Sequence, residues 1–242
     1  MKLKLYVAGR KMFGAEVLRA CFESGHEVVG VCTPAFASPN ESLPSYADDG
    51  TMRHDRARSF AELKGIPWLE AGQLREAVFP AGVDVIIAAH SFDFISKRVL
   101  ARCRIGGIGY HPSLLPRHRG RDAIRWTLKM GDPVTGGTVY WLTDTIDAGP
   151  IAAQDYCFVR PGDTAELLWR RDLFPMGVRL FRQALKDLAA GRLYSVPQDE
   201  EVATWEPSWE RPPLYRPDLP MLGTGLEDFS VIRAGSVPGR GV

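Results

Sequence analysis

The chain has 242 residues, of which 45% are hydrophobic, enough for one globular domain with a sizeable core. Its 30 Lys and Arg residues are balanced by 29 Asp and Glu residues, which leaves a formal charge of +1. So small a net charge provides no overall attraction to nucleic acid or to an anionic membrane, and we expect neither as a partner.

The amino-terminal residues contain only a short apolar run, unlike a secretory signal, and no run of about 20 apolar residues predicts a membrane-spanning helix. The four cysteines show no C-x-x-C spacing and lie mostly in apolar runs, which favours reduced thiols over disulfides or a zinc site. They are Cys21, Cys32, Cys103 and Cys157. We therefore expect a cytoplasmic protein without a metal.

Strand and helix patterns alternate from the amino terminus to residue 144. Residues 3–8 predict a strand, residues 9–14 a turn, and the apolar spacing from Val17 to Phe22 a helix that ends at Gly25. The remaining predicted strands are 27–33, 66–70, 83–89, 106–111 and 136–144, and the remaining helices are 59–64, 97–104 and 123–132. This order predicts an α/β protein with an open, mostly parallel, Rossmann-like sheet, in which ligands bind at the carboxyl ends of the strands.

The first turn contains two glycines, Gly9 and Gly14, but their spacing is not that of a nucleotide site. It lacks both the G-x-G-x-x-G pattern of dinucleotide sites and the G-K-[ST] ending of a P-loop. We interpret it as a tight strand-to-helix turn and expect neither NAD nor ATP there.

Residues 163–190 carry a helical pattern of apolar residues. The pattern predicts either two helices or one long helix interrupted at Pro175, with Asp163 as the N-cap and Gly191 as the end.

Two further segments have no regular pattern. Residues 34–56 are polar and long for a loop within a compact domain, and we expect them to be mobile. We expect one domain over residues 1–206, followed by a proline-rich irregular tail over residues 207–242 and no second domain.

Two titratable side chains follow predicted strands. His111 precedes Pro112, which holds its backbone extended at a strand end, although a lone histidine there more often bonds a neighbouring carbonyl than acts in catalysis. Asp147 lies just after the strand predicted at 136–144 and precedes an Ala-Gly turn, and an aspartate alone at such a place caps the turn. His118, in the basic run RHRGR, is predicted to be a solvated loop residue.

Six short motifs stand out as a set: HPSLLP at 111–116, Arg119-Gly120, Trp126, Gly131-Asp132, Gly137 and DAGP at 147–150. Together they resemble the formyltransferase family that uses 10-formyltetrahydrofolate, and they imply its fold. Within that family the sequence is most similar to the amino-terminal hydrolase domain of 10-formyltetrahydrofolate dehydrogenases. The stretches that carry this likeness are YHPSLLPRHRG at 110–120, LFP at 173–175 and VPQDEEVATW at 196–205.

The resemblance implies that His111 and Asp147 are catalytic. The imidazole would protonate the departing nitrogen or stabilise the oxyanion, and the carboxylate would orient the ring. The family usually carries an asparagine two residues before the histidine, whose amide donates to the formyl oxygen, whereas this chain has Gly109. The hydrolase domain of the dehydrogenases likewise has another residue there, so the glycine does not by itself imply an inactive protein. Three functions stay open: formyl transfer to a small-molecule amine, hydrolysis that delivers the formyl group to water, and folate binding without catalysis.

The resemblance also implies where 10-formyltetrahydrofolate, the cosubstrate, binds. The implied contacts are Phe92, Asp93, Phe94, Ile95, Leu114, Thr145, Ile146, Ala148 and Gly149. Arg121 and Asp122 are either contacts to the acceptor or a solvated charge pair. The expected lack of a second domain and the near-neutral charge argue against tRNA as the acceptor. The sequence predicts neither the acceptor's identity nor the oligomeric state.

Overall fold

The computed structural model describes residues 1–38 and 52–208. Residues 39–51, from the loop that we expect to be mobile, and residues 209–242, from the expected tail, lie outside the described residues. Within the described ranges, no helix combines the length and the apolar character that crossing a membrane requires.

The described residues form seven β-strands, six α-helices and two short helical turns of other types. The strands are β1 (Lys4–Gly9), β2 (Glu27–Thr33), β3 (Trp68–Glu70), β4 (Val85–Ala89), β5 (Gly106–His111), β6 (Val134–Trp141) and β7 (Ile151–Phe158). The helices are α1 (Lys11–Glu23), α2 (Arg56–Leu63), α3 (Lys97–Leu100), α4 (Ala123–Met130), α5 (Ala165–Leu168) and α6 (Phe174–Ala189). A 3₁₀ turn covers Glu76–Val78, and a π-helical turn, Trp169–Leu173, joins α5 to α6.

The seven strands form one sheet in the order β3-β2-β1-β4-β5-β6-β7. Strands β1 to β5 are parallel to one another, whereas β6 is antiparallel to β5 and β7 is antiparallel to β6. This confirms the open, mostly parallel α/β sheet predicted from the sequence. The sequence analysis missed β7 because this edge strand alternates between half-buried and exposed side chains and has no continuous apolar run.

Helix α1 begins at Lys11, so the turn predicted over residues 9–14 is too long. The strand and the helix approach so closely that a Cβ on Gly14 would lie 2.7 Å from the carbonyl carbon of Gly9. Both glycines therefore serve backbone packing, which agrees with the interpretation of a tight strand-to-helix turn.

The helical pattern after residue 163 forms two consecutive α-helices, and its cap differs from the prediction. The side chain of Thr164, not that of Asp163, accepts the hydrogen bond from the backbone N–H of Leu167, at 3.2 Å. The carboxylate of Asp163 instead pairs with Arg171. Pro175 lies in the first turn of α6, directly after the π-helical turn, so the helical pattern changes type at this point.

The core lies on both faces of the sheet. One cluster contains side chains of α1 and α6 and extends to Val7, Ile87 and Ile108, while a smaller cluster on the other face includes Tyr6 and Ile86. Because β1 and β4 are covered on both faces, their apolar residues run continuously along the sequence. Phe13 lies in the larger cluster, and its ring contacts those of Tyr110, Trp169 and Phe174.

The four cysteines are free thiols, as the sequence analysis expects. Burial raises the pKa of Cys21 to about 12 and that of Cys103 to about 11. These thiols therefore stay protonated at neutral pH, which makes them poor nucleophiles.

Replacing Phe13 by alanine should lower the free energy of unfolding by about 3 to 5 kcal/mol, because the ring is fully packed and leaves a cavity. Urea denaturation followed by circular dichroism measures the change. Phe22→Ala is the matched control: it lies in the same helix with a ring 40% exposed, and its loss should be much smaller. Equal losses in the two variants would contradict the assignment of the core.

Candidate active site

His111 is the last residue of β5, and its ring is buried between two hydrogen-bond acceptors. Its Nε2 lies 2.6 Å from the backbone oxygen of His118, and its Nδ1 lies 3.5 Å from Oδ2 of Asp147. A backbone carbonyl oxygen only accepts, so Nε2 is the donor in the contact with His118. The other ring nitrogen, Nδ1, faces the carboxylate of Asp147.

Asp147 reaches His111 by a route that the sequence does not indicate. Strand β6 is antiparallel, and Trp141 at its carboxyl end pairs with Ile108 instead of His111. The strand therefore ends pointing away from His111, and residues 142–150 return along the sheet to bring Asp147 beside the ring. Asp144, the first aspartate of this loop, is exposed and pairs with Lys97.

The carboxylate of Asp147 is buried and receives hydrogen bonds from two other parts of the chain. The backbone N–H of Gly120 donates to Oδ2 at 2.8 Å, and the hydroxyl of Tyr140 donates to Oδ1 at 2.6 Å. The backbone of Asp147 adopts a left-handed conformation with φ of 53°, which aspartate tolerates better than most residues. These contacts fix the carboxylate opposite His111.

Tyr140 is a site residue that the sequence analysis missed. It lies one residue before the end of β6, and burial together with the charge of Asp147 raises its pKa well above the ordinary value. The hydroxyl therefore keeps its proton and acts as a donor at any pH near neutrality. Nothing in the alternating pattern of β6 distinguishes this tyrosine from a core residue.

The space beside Gly109 is filled. A Cβ at this position would lie 2.8 Å from Cδ2 of Leu142 and 3.4 Å from the ring of Tyr140. The sequence analysis expects an asparagine here in related proteins, but the start of such a side chain would meet these two residues. Leu142 and Tyr140 thus take up the room that the missing side chain leaves.

The loop after β4 carries the first four residues predicted to bind the cosubstrate. Phe92 and Phe94 are exposed, whereas Ile95 is buried in the smaller core cluster. The carboxylate of Asp93 accepts hydrogen bonds from Sγ of Cys32 at 3.2 Å and from the backbone N–H of Gly72 at 2.8 Å. Asp93 therefore ties this loop to the ends of β2 and β3.

An open cavity of about 210 Å³ lies next to this loop, at the carboxyl ends of β2 and β3. It is lined by Pro34, Ala35, Phe36, Glu70, Ala71 and Phe92. Since β2 to β5 are parallel, the cavity and His111 occupy the same edge of the sheet, where the sequence analysis expects ligands.

The other predicted cosubstrate contacts lie in the loop that carries Asp147, apart from Leu114. Thr145, Ile146 and Ala148 are half-buried around Asp147, and Gly149 packs so tightly on the backbone of Trp141 that no Cβ fits.

The two predicted acceptor contacts differ from each other in exposure. Arg121 is exposed, while Asp122 has a left-handed backbone before α4 and accepts a hydrogen bond from Ser208 at 3.4 Å.

Leu114 lies apart from that loop, in the segment that follows His111. It is half-buried, and one of its methyl groups would lie 2.7 Å from a Cβ on Gly136 of β6. The structure therefore places this predicted contact against β6.

A carboxyl-terminal segment over residues 196–207, here called the strap, holds the loops of the site. The amide of Gln198 donates to the backbone oxygens of Asp147 and Gly149, at 2.8 and 2.7 Å. The side-chain oxygen of Gln198 in turn accepts two hydrogen bonds from Arg119, which is fully buried and also pairs with Glu200. Part of this segment carries the family resemblance, but no local sequence pattern predicts these contacts.

His118 is buried, so the prediction of a solvated loop residue is wrong. Its Nε2 lies 2.7 Å from Asp132, its Nδ1 lies 3.2 Å from Glu206 of the strap, and its backbone N–H donates to Thr204. The basic residues around His118 in the sequence suggest solvent exposure. The two carboxylates that pair with its ring lie further along the chain, so the local sequence does not reveal its burial.

Comparison with known proteins identifies relatives of this chain. Residues 1–181 match the family model described as formyl transferase. The chain is 39% identical over 224 residues to the mitochondrial 10-formyltetrahydrofolate dehydrogenase of Mus musculus. That match covers 87% of this chain but only 24% of the relative, so the chain spans about a quarter of the length of the dehydrogenase.

Solved structures share the fold. Glycinamide ribonucleotide transformylase 1 from Symbiobacterium toebii superposes with a TM-score of 0.61 at 23% identity, covering 81% of this chain and 94% of that one. An N-formyltransferase from Helicobacter canadensis, crystallised with folinic acid and dTDP-3-aminofucose, gives a TM-score of 0.64 at 15% identity, with 85% and 71% covered. At these identities the likeness concerns the fold alone.

His118, which is buried against Glu206 of the strap, should make the free energy of unfolding depend on pH. Burial by itself lowers the pKa of His118, but the neighbouring Glu206 and Asp132 outweigh it, and the net pKa is raised. In the unfolded chain the ring loses its proton near pH 6.5, so the stabilisation is complete below that pH and is lost as the pH rises through the folded-state pKa.

Urea unfolding at a series of pH values from about 6 to 9 tests this expectation. The free energy of unfolding of the wild type should fall with rising pH more steeply than that of His118→Gln, which has no ring to titrate. The slopes are compared, not the absolute stabilities, because the variant also changes packing. Parallel slopes would show that His118 does not contribute.

Proposed function

The chain belongs to the formyl transferase family, and from that premise we propose that it takes the formyl group of 10-formyltetrahydrofolate and delivers it to a small-molecule amine. The observation that carries this proposal is the convergence of His111 and Asp147, which lie 3.5 Å apart in a buried site. The contact requires β5, β6 and the loop that returns to Asp147. An aspartate that only capped its own turn would not need to meet His111.

The reaction needs what these two residues can supply. Attack on the formyl carbon produces a tetrahedral centre with an oxyanion, and the folate nitrogen must be protonated before it leaves. His111 would donate that proton or stabilise the oxyanion. Asp147, itself held by Gly120 and Tyr140, would keep the imidazole in one orientation.

The cosubstrate would bind along the sheet edge between the two loops. The exposed rings of Phe92 and Phe94 offer apolar surface to a flat pterin, and the backbone groups of residues 92–95 would recognise its edge. Leu114 and residues 145–149 would line the other side. 10-Formyltetrahydrofolate supplies the transferable one-carbon unit, and the chain's part is to bind, orient and protonate it.

Gly109 supports the alternatives. Without an amide donor at this position, the site lacks an oxyanion contact of the kind that contributes about 3 to 4 kcal/mol to catalysis. Water would then be a second acceptor, which makes the protein a hydrolase, and complete loss of catalysis would leave a folate-binding protein. The likeness to 10-formyltetrahydrofolate dehydrogenase favours hydrolysis as the second candidate.

We further propose that residues 1–206 work as one domain, in the cytoplasm and without nucleic acid. The family match ends at residue 181, but the strap continues to the site, where Gln198 bonds the backbone oxygens of Asp147 and Gly149. Arg121 and Asp122 are proposed as acceptor contacts because they adjoin Gly120, whose N–H binds Asp147.

A release assay separates the three functions. Purified protein is incubated with 10-formyltetrahydrofolate, and tetrahydrofolate is followed with and without candidate amines. Release that requires an amine supports transfer, and release in buffer alone identifies a hydrolase. Binding without release, measured by calorimetry, identifies the non-catalytic protein and would overturn the proposed reaction.

Replacing His111 or Asp147 by alanine should lower the turnover number by at least about 100-fold, because proton transfer and its orientation are both lost. Stopped assays of tetrahydrofolate release measure the change, and circular dichroism checks that the variants fold. His26→Ala is the control, since His26 precedes β2 at the opposite edge of the sheet and should leave turnover unchanged. Near-normal turnover in either site variant would rule out the assignment.

A further inference from the structure

Gly109 and Tyr140 are direct neighbours across two strands. They form a registered pair between β5 and β6, so their side-chain positions lie on the same face of the sheet. A Cβ on Gly109 would lie 3.4 Å from two carbons of the tyrosine ring, at the close end of van der Waals contact, and 2.8 Å from Cδ2 of Leu142. The ring of Tyr140 therefore lies directly beside the position where a side chain at 109 would begin.

The hydroxyl of Tyr140 extends from this ring to Asp147. Its oxygen lies 2.6 Å from Oδ1, the carboxylate oxygen that His111 does not contact, while His111 and Gly120 lie against Oδ2. Each oxygen thus has its own partner, and the carboxylate cannot rotate without breaking one of these contacts. Burial makes such a contact costly to lose, because water cannot replace it.

We propose that Tyr140 is a positioning residue of the formyl-transfer reaction, which holds Asp147 opposite His111 from the strand position paired with Gly109. The inference rests on the function proposed above, in which His111 and Asp147 act together.

Tyr140→Phe removes one hydroxyl and keeps the ring. It should lower the turnover number by about 10- to 100-fold, the effect of losing a hydrogen bond to a charged group. The KM for 10-formyltetrahydrofolate should change by less than about twofold, because the proposed contact acts on the reacting groups and not on folate binding. Steady-state kinetics of tetrahydrofolate release measure both constants.

The matched control is Tyr110→Phe. Tyr110 is the neighbour of His111 in β5, equally buried, and its hydroxyl donates to the backbone oxygen of Leu173 at 2.7 Å on the opposite face of the sheet. This variant loses the same chemical group from the core, so it should also lose some thermal stability while keeping wild-type turnover. A turnover loss in both variants would show that the hydroxyl matters only for packing.

A double-mutant cycle tests whether Tyr140 acts through Asp147. In an Asp147→Ala background, Tyr140→Phe should change the residual turnover by less than about twofold, since the group that Tyr140 positions is already absent. The slow rates are measured at high protein concentration. A further loss of tenfold or more in that background would overturn the inference, because Tyr140 would then act on something else.

The outcomes distinguish this inference from the proposed function. If His111→Ala is inactive and Tyr140→Phe has normal turnover, the proposed reaction stands and the role of Tyr140 is wrong. If His111→Ala has normal turnover, or the wild type releases no tetrahydrofolate under any condition, the proposed function fails and the inference fails with it.

Discussion

The buried carboxylate of Asp147 is the constraint on which the rest of the site depends. A charge removed from water costs several kcal/mol unless its oxygens are hydrogen-bonded, so the fold must bring donors to it from elsewhere. They come from Gly120 in the loop after β5 and from Tyr140 in β6, and His111 at the end of β5 faces the same carboxylate. Three parts of the chain are therefore ordered together around one group.

The strap extends this arrangement beyond the sheet. Gln198 donates hydrogen bonds to the backbone on both sides of Ala148, and its own side-chain oxygen accepts from Arg119. The loop of Asp147 is therefore bonded to the strap as well as to β6. His118 adds a second buried link through Glu206. The strap and the loop stabilise each other. Loss of the strap would remove the bonds that hold the loop and would leave the buried charge of Arg119 without its partner Glu200.

The contacts around Gly109 follow from the pairing of β5 with β6. In a registered antiparallel pair, opposite side chains on one face share a limited volume, so a large residue on one strand is accommodated by a small one on the other. Tyr140 and Leu142 use the room beside Gly109.

The sequence alone determined the alternation of elements and the parallel strands β1 to β5, and it singled out His111 and Asp147, because apolar periodicity and the HPSLLP and DAGP motifs are local properties of the chain. It did not determine β7, the burial of His118 or the contact of Tyr140 with Asp147. The antiparallel direction of β6 brings Tyr140 and the returning loop together, and His118 is buried by Asp132 and by Glu206 of the strap. Contacts between residues far apart along the chain depend on where the strands pair, and no local pattern records that pairing.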